Sequence, residues 1–134
     1  MLRKKKPMKI EIKHDTNMPI YIQLYEQIKE QIIYGKLKSG DKIPSYRELA
    51  KQCDVSMITV ITAYKRLSED KLIVKSQTGC FVSEIAGTIA AEYHLRKIED
   101  NLKDVILSAK TIDIGIEELH TLMNELWHEY ITSL

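Results

Sequence analysis

The sequence predicts a mainly α protein with a small β wing: an N-terminal winged helix-turn-helix, then a C-terminal two-helix antiparallel hairpin forming a dimer. Three observations carry this. Two short helical stretches meet across a four-residue turn around Asp54. Two β-prone runs, LIVKS and CFVSE, flank Gln77-Thr78-Gly79. Apolar residues then recur at heptad spacing through the last fifty positions.

The bulk properties set the frame for these elements. A chain of 134 residues has room for one ordinary domain, or a small domain plus an appendage. Hydrophobic residues make up 44% and charged residues 29%, a globular rather than disordered balance. No apolar run is long enough for a transmembrane helix, and the basic start MLRKKKP is not followed by the apolar segment of a signal peptide. Cys53 and Cys80 have neither zinc-like nor CxxC spacing; they suit a reducing cytoplasm, where cysteine acts as a small hydrophobe. The net charge of +1 hides an asymmetry: residues 1–84 hold 16 Lys/Arg against 10 Asp/Glu, residues 85–134 hold 4 against 9. A basic first part is suited to a polyanion, an acidic second part to another task.

The elements follow in order. Residues 8–13, MKIEIK, alternate apolar and charged, which predicts a short half-buried strand. Asn17 and Pro19 mark a helix start, with Pro in the first turn. Tyr21, Leu24, Ile28 and Ile32 then recur at helical spacing, and Gly35 ends the helix. LKSGDKIP (37–44) is expected to be a loop. Ser45 with Glu48 forms a capping box for a helix over about 46–53 that buries Leu49 and Ala50. Asp54 suits the left-handed turn that follows, and Ser56 caps the next helix, which runs to about Asp70. Val60, Ala63, Tyr64 and Leu67 form its core face. The hairpin 72–84 completes the unit. The expected organisation is a basic arm (1–9), a DNA-binding winged helix-turn-helix (10–84) and a dimerisation region (85–134).

In that last region Ala91, Leu95, Ile98, Leu102, Val105, Ala109 and Ile112 keep a 4-3-4 alternation. After a break at Asp113–Gly115, Ile116, Leu119, Met123, Leu126 and Tyr130 resume it. Two helices cannot bury both faces alone, so a second copy of the chain is expected to cover them. The dimer residues are Leu95, Ile98, Leu102, Val105, Ala109, Leu119, Met123, Leu126, Trp127 and Tyr130. Folding of the hairpin onto its own N-terminal unit is the alternative.

The run MPIYIQLYEQIKEQIIYGKLKSGDKIPSYRELAKQCDVS strongly resembles the N-terminal domain of GntR-family transcriptional regulators. The matches include Pro19-Ile20-Tyr21, Gly35, Gly40-Asp41, Ile43-Pro44-Ser45, Arg47-Glu48-Leu49-Ala50, Val55-Ser56, Ala63-Tyr64 and Phe81-Val82. They cover about residues 10–83. A two-helix tail of some fifty residues is similar to that of the short-tailed YtrA-like branch. The resemblance implies a bacterial, cytoplasmic, homodimeric regulator of transcription, usually a repressor, that binds an inverted-repeat operator. In that branch the regulated genes often include ABC transporters. An effector bound between tail and head could alter the spacing of the two DNA-binding units; its identity is not written in the sequence, and no cofactor is implied.

Arg47 matches the family arginine that contacts DNA, and an arginine can fork onto guanine O6 and N7. A surface salt bridge to Glu48 or Glu11 is its bland alternative. Ser45 and Tyr46 lie at a helix start suited to a phosphate. Ser56, Met57, Ile58, Thr59, Thr62 and Lys65 line the recognition helix, and Gln77, Thr78 and Gly79 the wing. Lys4, Lys5, Lys6 and Lys9 would add sequence-independent attraction.

Two departures from the family pattern stand out. Family members commonly carry arginines at the positions of Met57 and of Ile61 or Thr62, and this chain has none. Three explanations are open: A·T-rich DNA read through apolar contact with thymine methyls, packing of Met57 and Ile58 against protein with readout left to Arg47 and the wing, or loss of specific binding. The wing lacks the usual Gly-x-Gly turn and its first strand is one residue short; Lys71 stands where the family has Gly, either in a positive-φ site or simply at a helix end. The competing function is a dimeric protein-interaction module that kept the scaffold and lost readout. No catalytic constellation is present, and His120 with His128, eight apart, gathers too few ligands for a metal.

Overall fold

The computed structural model describes residues 8–134. Lys4, Lys5 and Lys6 of the expected basic arm lie outside the described residues. The chain divides after Tyr93 into two compact units, the second being His94–Leu134.

The first unit begins with a segment that departs from expectation. Residues 8–13 form no strand. Their backbone is instead held by glutamines of helix α1 (Ile20–Ile33). The Gln27 side chain takes a bond from Glu11 N–H at 2.9 Å and returns one to Glu11 C=O at 2.8 Å. Gln23 does the same to Lys13 at 2.8 and 2.9 Å, and Gln31 donates to the Lys9 carbonyl at 3.1 Å. Glutamines four apart on a helix thus serve residues two apart on the segment. The alternation reported one-sided burial correctly, since Met8 is 2% exposed. It could not report that side-chain amides, not a neighbouring strand, would satisfy the backbone.

Pro19 precedes α1 as its N-cap residue instead of occupying the first turn, and its carbonyl accepts from Ile22 and Gln23 at 3.1 Å. Leu24, Ile28 and Ile32 form one buried stripe. Gly35 follows the helix at φ +78.

Helix α2 (Tyr46–Cys53) carries the complete capping box: Ser45 Oγ accepts from Glu48 N–H at 3.2 Å, and Glu48 Oε1 from Ser45 N–H at 3.0 Å. Asp54 takes φ +53, and the Val55 N–H reaches the Ala50 carbonyl at 3.0 Å. Helix α3 (Met57–Glu69) then starts at Ser56, which accepts from Thr59 N–H at 3.2 Å. Its Val60, Ala63, Tyr64 and Leu67 are each at most 1% exposed. Lys71 ends it at φ +62, with Leu72 N–H bonded to the Leu67 carbonyl at 3.0 Å. The positive φ is therefore real, and this position carries a cost that glycine would avoid.

A three-stranded antiparallel sheet, order β1-β3-β2, closes the unit: β1 (Lys42–Ile43), β2 (Ile73–Ser76) and β3 (Gly79–Val82). The segment 37–44, expected to be all loop, thus contributes a strand. Ser76 faces Gly79, so the turn is Gln77-Thr78 alone and Gly79 belongs to β3. Gly79 has φ +139, and a Cβ there would lie 2.8 Å from Lys42 Cε. The positive φ is what favours glycine here, since the Lys42 side-chain end can swing aside.

Helix α4 (Ala86–Thr111) leads into the second unit, and α5 (Ile116–Ser133) completes it. Asp113 turns the chain at φ +57, with Ile114 N–H bonded to the Ala109 carbonyl at 2.9 Å. The break lies where the heptad spacing places it. Ala109 is 5% exposed, but α5 has no buried residue.

Candidate nucleic-acid interface

The start of α2, the middle of α3 and strand β2 converge on one ring. Tyr46 packs edge-on against Tyr64, with centroids 5.4 Å apart. The Tyr64 hydroxyl donates to the Pro44 carbonyl at 2.7 Å. Lys75 Nζ stands 4.3 Å above the Tyr46 ring. Burial pushes the Tyr64 hydroxyl far above its ordinary value, so it remains a neutral donor. Tyr46 is half-buried and packs on the core, so its ring braces the site.

Arg47 follows Tyr46 in the first turn of α2. Arg47 is exposed, and its guanidinium has no partner among the described residues. Ser45, beside it, is exposed, and its hydroxyl is engaged in the capping box.

The face of α3 opposite the core carries Ile58, Ile61, Thr62 and Lys65, spaced i, i+3, i+4 and i+7. Met57 is 42% exposed, Ile58 72% and Ile61 36%. Ile58 is thus not packed into its own chain, whereas more than half of Met57's surface is covered. The hydroxyls of the helix are engaged locally. Ser56 Oγ and Thr59 Oγ1 are 2.7 Å apart, and Thr62 Oγ1 donates to the Ile58 carbonyl at 2.7 Å.

At the wing tip, Gln77 and Thr78 are exposed, while Gly79 is half-buried in β3. Thr78 is folded onto Ser76, with N–H to Oγ at 3.3 Å and the hydroxyls 3.0 Å apart. Gln77 is thus the polar side chain at the tip with reach. Sequence reasoning missed Lys75 and Lys42. Lys42 Nζ lies 5.9 Å from the Phe81 centroid, so each of these wing lysines has a ring beside it, Phe81 on β3 for Lys42 and Tyr46 on α2 for Lys75. Lys75 lies two residues after buried Ile73, so strand alternation alone would turn it inward; its exposure and its pairing with Tyr46, far away in sequence, are not written in a local pattern.

Arg66 is held away from this face, its guanidinium 4.4 Å from the Tyr25 ring. Tyr25 in turn donates to Asp70, tying α1 to the end of α3. Burial raises the pKa of Cys53 and of Cys80, which keeps both thiols neutral and matches their role as small hydrophobes.

In the second unit the residues expected at a dimer interface are largely bare. Leu95, Ile98, Leu102 and Val105 are 40–56% exposed, and Met123, Leu126, Trp127 and Tyr130 are 40–65% exposed. Leu119 is half-buried. Among the described residues no helix is long and apolar enough to cross a membrane.

Comparison with known proteins bears on this surface. Residues 20–82 match the model of bacterial regulatory proteins of the gntR family. The chain is 36% identical over 118 residues to the HTH-type transcriptional repressor YtrA of Bacillus subtilis, covering 87% of this chain and 91% of that protein. It resembles the structure of YtrA from Sulfolobus acidocaldarius, a GntR-family transcription factor: 37% identity, TM-score 0.54, 67% of this chain and 97% of that one. AraR(DBD), solved in complex with operator ORX1, is similar at 30% identity and TM-score 0.51, over 57% of this chain and 96% of that one.

Proposed function

The chain belongs to the gntR family of bacterial regulatory proteins and is a DNA-binding transcriptional regulator, not an enzyme; on that premise we propose that it is a homodimeric repressor of an inverted-repeat operator. The observation that carries the DNA-contact assignment is Arg47: exposed, without a partner among the described residues, and next to Tyr46, whose ring is packed against Tyr64 and Lys75 at the front of α2. A planar, solvent-facing guanidinium is suited to a guanine edge or a phosphate. The front of α3 lies in the major groove, and Gln77 with Lys75 and Lys42 serves the backbone beside it.

Association through the tail supports the inverted repeat. A twofold dimer presents two identical reading heads, and a palindromic site mirrors that symmetry. The bare apolar faces of α4 and α5 are the surface a second copy would cover. Repression is the activity named for the Bacillus subtilis relative, and occupancy of a site overlapping a promoter is enough to produce it. An effector that prefers one arrangement of the two heads would shift affinity by its differential binding to the two states.

In vitro selection from random duplex DNA, read by sequencing, tests this. An enriched inverted repeat is expected. Arg47→Ala should weaken binding to it by about 5- to 100-fold, the range of one forked contact. Binding that is weak, salt-sensitive and indifferent to sequence would instead point to a scaffold for protein partners.

A further inference from the structure

The front of α3 is a helix whose hydroxyls are already engaged. Thr62 Oγ1 donates to the Ile58 carbonyl at 2.7 Å, and Thr59 Oγ1 pairs with Ser56 Oγ at 2.7 Å. Ser56 Oγ also accepts from the Thr59 N–H at 3.2 Å. A hydroxyl bonded to the carbonyl four residues back has its hydrogen committed and is not free to donate to a base edge. Around it Met57, Ile58 and Ile61 are exposed. The first two turns of this helix therefore offer methyl and thioether groups to a partner, and a cation only at Lys65, one turn further on.

An apolar stripe of this kind can meet one feature of the major groove. Each base pair shows donors and acceptors there, but the C5 methyl of thymine is the groove's apolar group. A polar base edge pressed against Ile58 would lose water without gaining a hydrogen bond, which is unfavourable. A methyl pressed there loses nothing. The cations flank the stripe: Arg47 on α2, Lys65 on α3 and Lys75 on β2 can take phosphates or a guanine edge.

We infer that α3 reads its operator through the C5 methyl groups of pyrimidines, with Ile58, Ile61 and Thr62 as the contact surface. The ligand feature is the 5-methylpyrimidine itself: thymine, and 5-methylcytosine where it stands in thymine's place. This rests on the operator-binding role proposed above and specifies what that role recognises. Discrimination comes from contact and desolvation, so it tolerates changes in the hydrogen-bonding edge that an arginine would reject.

The test uses the full-length protein and the repeat recovered by selection. Thymines in the half-sites are replaced one position at a time by deoxyuridine, which removes the methyl and keeps every polar group. At a contacted position binding should fall about fourfold, the worth of one buried methyl-sized group. With both half-sites changed the fall should be about sixteenfold. Cytosine at the same position should bind more weakly than 5-methylcytosine by a similar factor. Ile58→Ala should lose the distinction between thymine and uracil at one position; Ile58 is 72% exposed, so the fold survives the change. An enriched repeat that binds equally well with uracil throughout overturns this inference and leaves the regulator intact. Failure to recover any repeat overturns both.

Discussion

The two units of this chain solve the same problem in opposite ways. In the first, apolar side chains from three helices and a sheet enclose one another: Leu24, Ile28, Ile43, Leu49, Val60 and Leu67 are wholly buried. In the second, helices with equally regular apolar patterning leave those residues bare, and α5 buries none. Apolar periodicity is therefore not a statement about where a core lies. It states that a face needs covering, and the cover comes from the same chain in one case and, on our proposal, from a second copy in the other.

The contrast can be broken most severely in the tail. Leu102→Asp with Met123→Asp should yield a monomer by light scattering. Loss of the linked second head should cost about 100-fold in operator affinity. The first unit should keep its helical circular dichroism, because its core does not use these residues. A variant that stays dimeric would place the interface elsewhere.

A smaller effect is expected inside the head at Tyr64. Tyr64→Phe leaves the Pro44 carbonyl without its donor and should cost about 1–3 kcal/mol in denaturant unfolding. The pH dependence has a definite sign. Burial raises the Tyr64 pKa in the folded protein above its ordinary value of 10.0. Its contribution to stability is thus complete below about pH 10 and falls as pH rises beyond it. The phenylalanine variant should lose less stability between pH 9 and 11 than the parent. Equal alkaline losses would assign that limb to other groups, Tyr25 among them, whose pKa burial and the Asp70 contact also raise.

Gln27→Ala should remove both bonds to Glu11, cost about 1 kcal/mol, and speed hydrogen exchange at the Glu11 amide. Slow exchange there in the variant would mean that another group protects it. Least of all, Lys71→Gly should raise the thermal midpoint slightly, by about 0.5 kcal/mol of stability, since φ +62 suits glycine. A fall would mean the added backbone freedom outweighs the relief.

What could be read from the chain and what could not divides along range of interaction. The capping box at Ser45 and Glu48, the left-handed Asp54 and the break at Asp113 are settled by neighbours in sequence, and each stands where local chemistry puts it. Strand β1 is two residues long and exists only because Phe81 and Cys80 pair with it. No local pattern could reveal that. The same holds for the site. Arg47 and the apolar front of α3 were legible as residue types. That the threonine hydroxyls bond within their own helix depends on rotamers, which spacing does not encode.

The glutamine rungs beneath residues 9–13 behave as a vernier. One scale advances about 6.0 Å for every four residues of helix, the other about 6.6 Å for every two residues of extended chain. Centred on Gln27, the two graduations drift by only about 0.6 Å at Gln23 and Gln31, within the tolerance of a hydrogen bond. A further rung at either end would double that error, and the next positions on α1's scale are Pro19 and Gly35, which carry no side-chain amide. The attachment is self-limiting in length. A single residue inserted within 9–13 would put the two scales out of step, so changes in chain length are tolerated outside this short span and not within it.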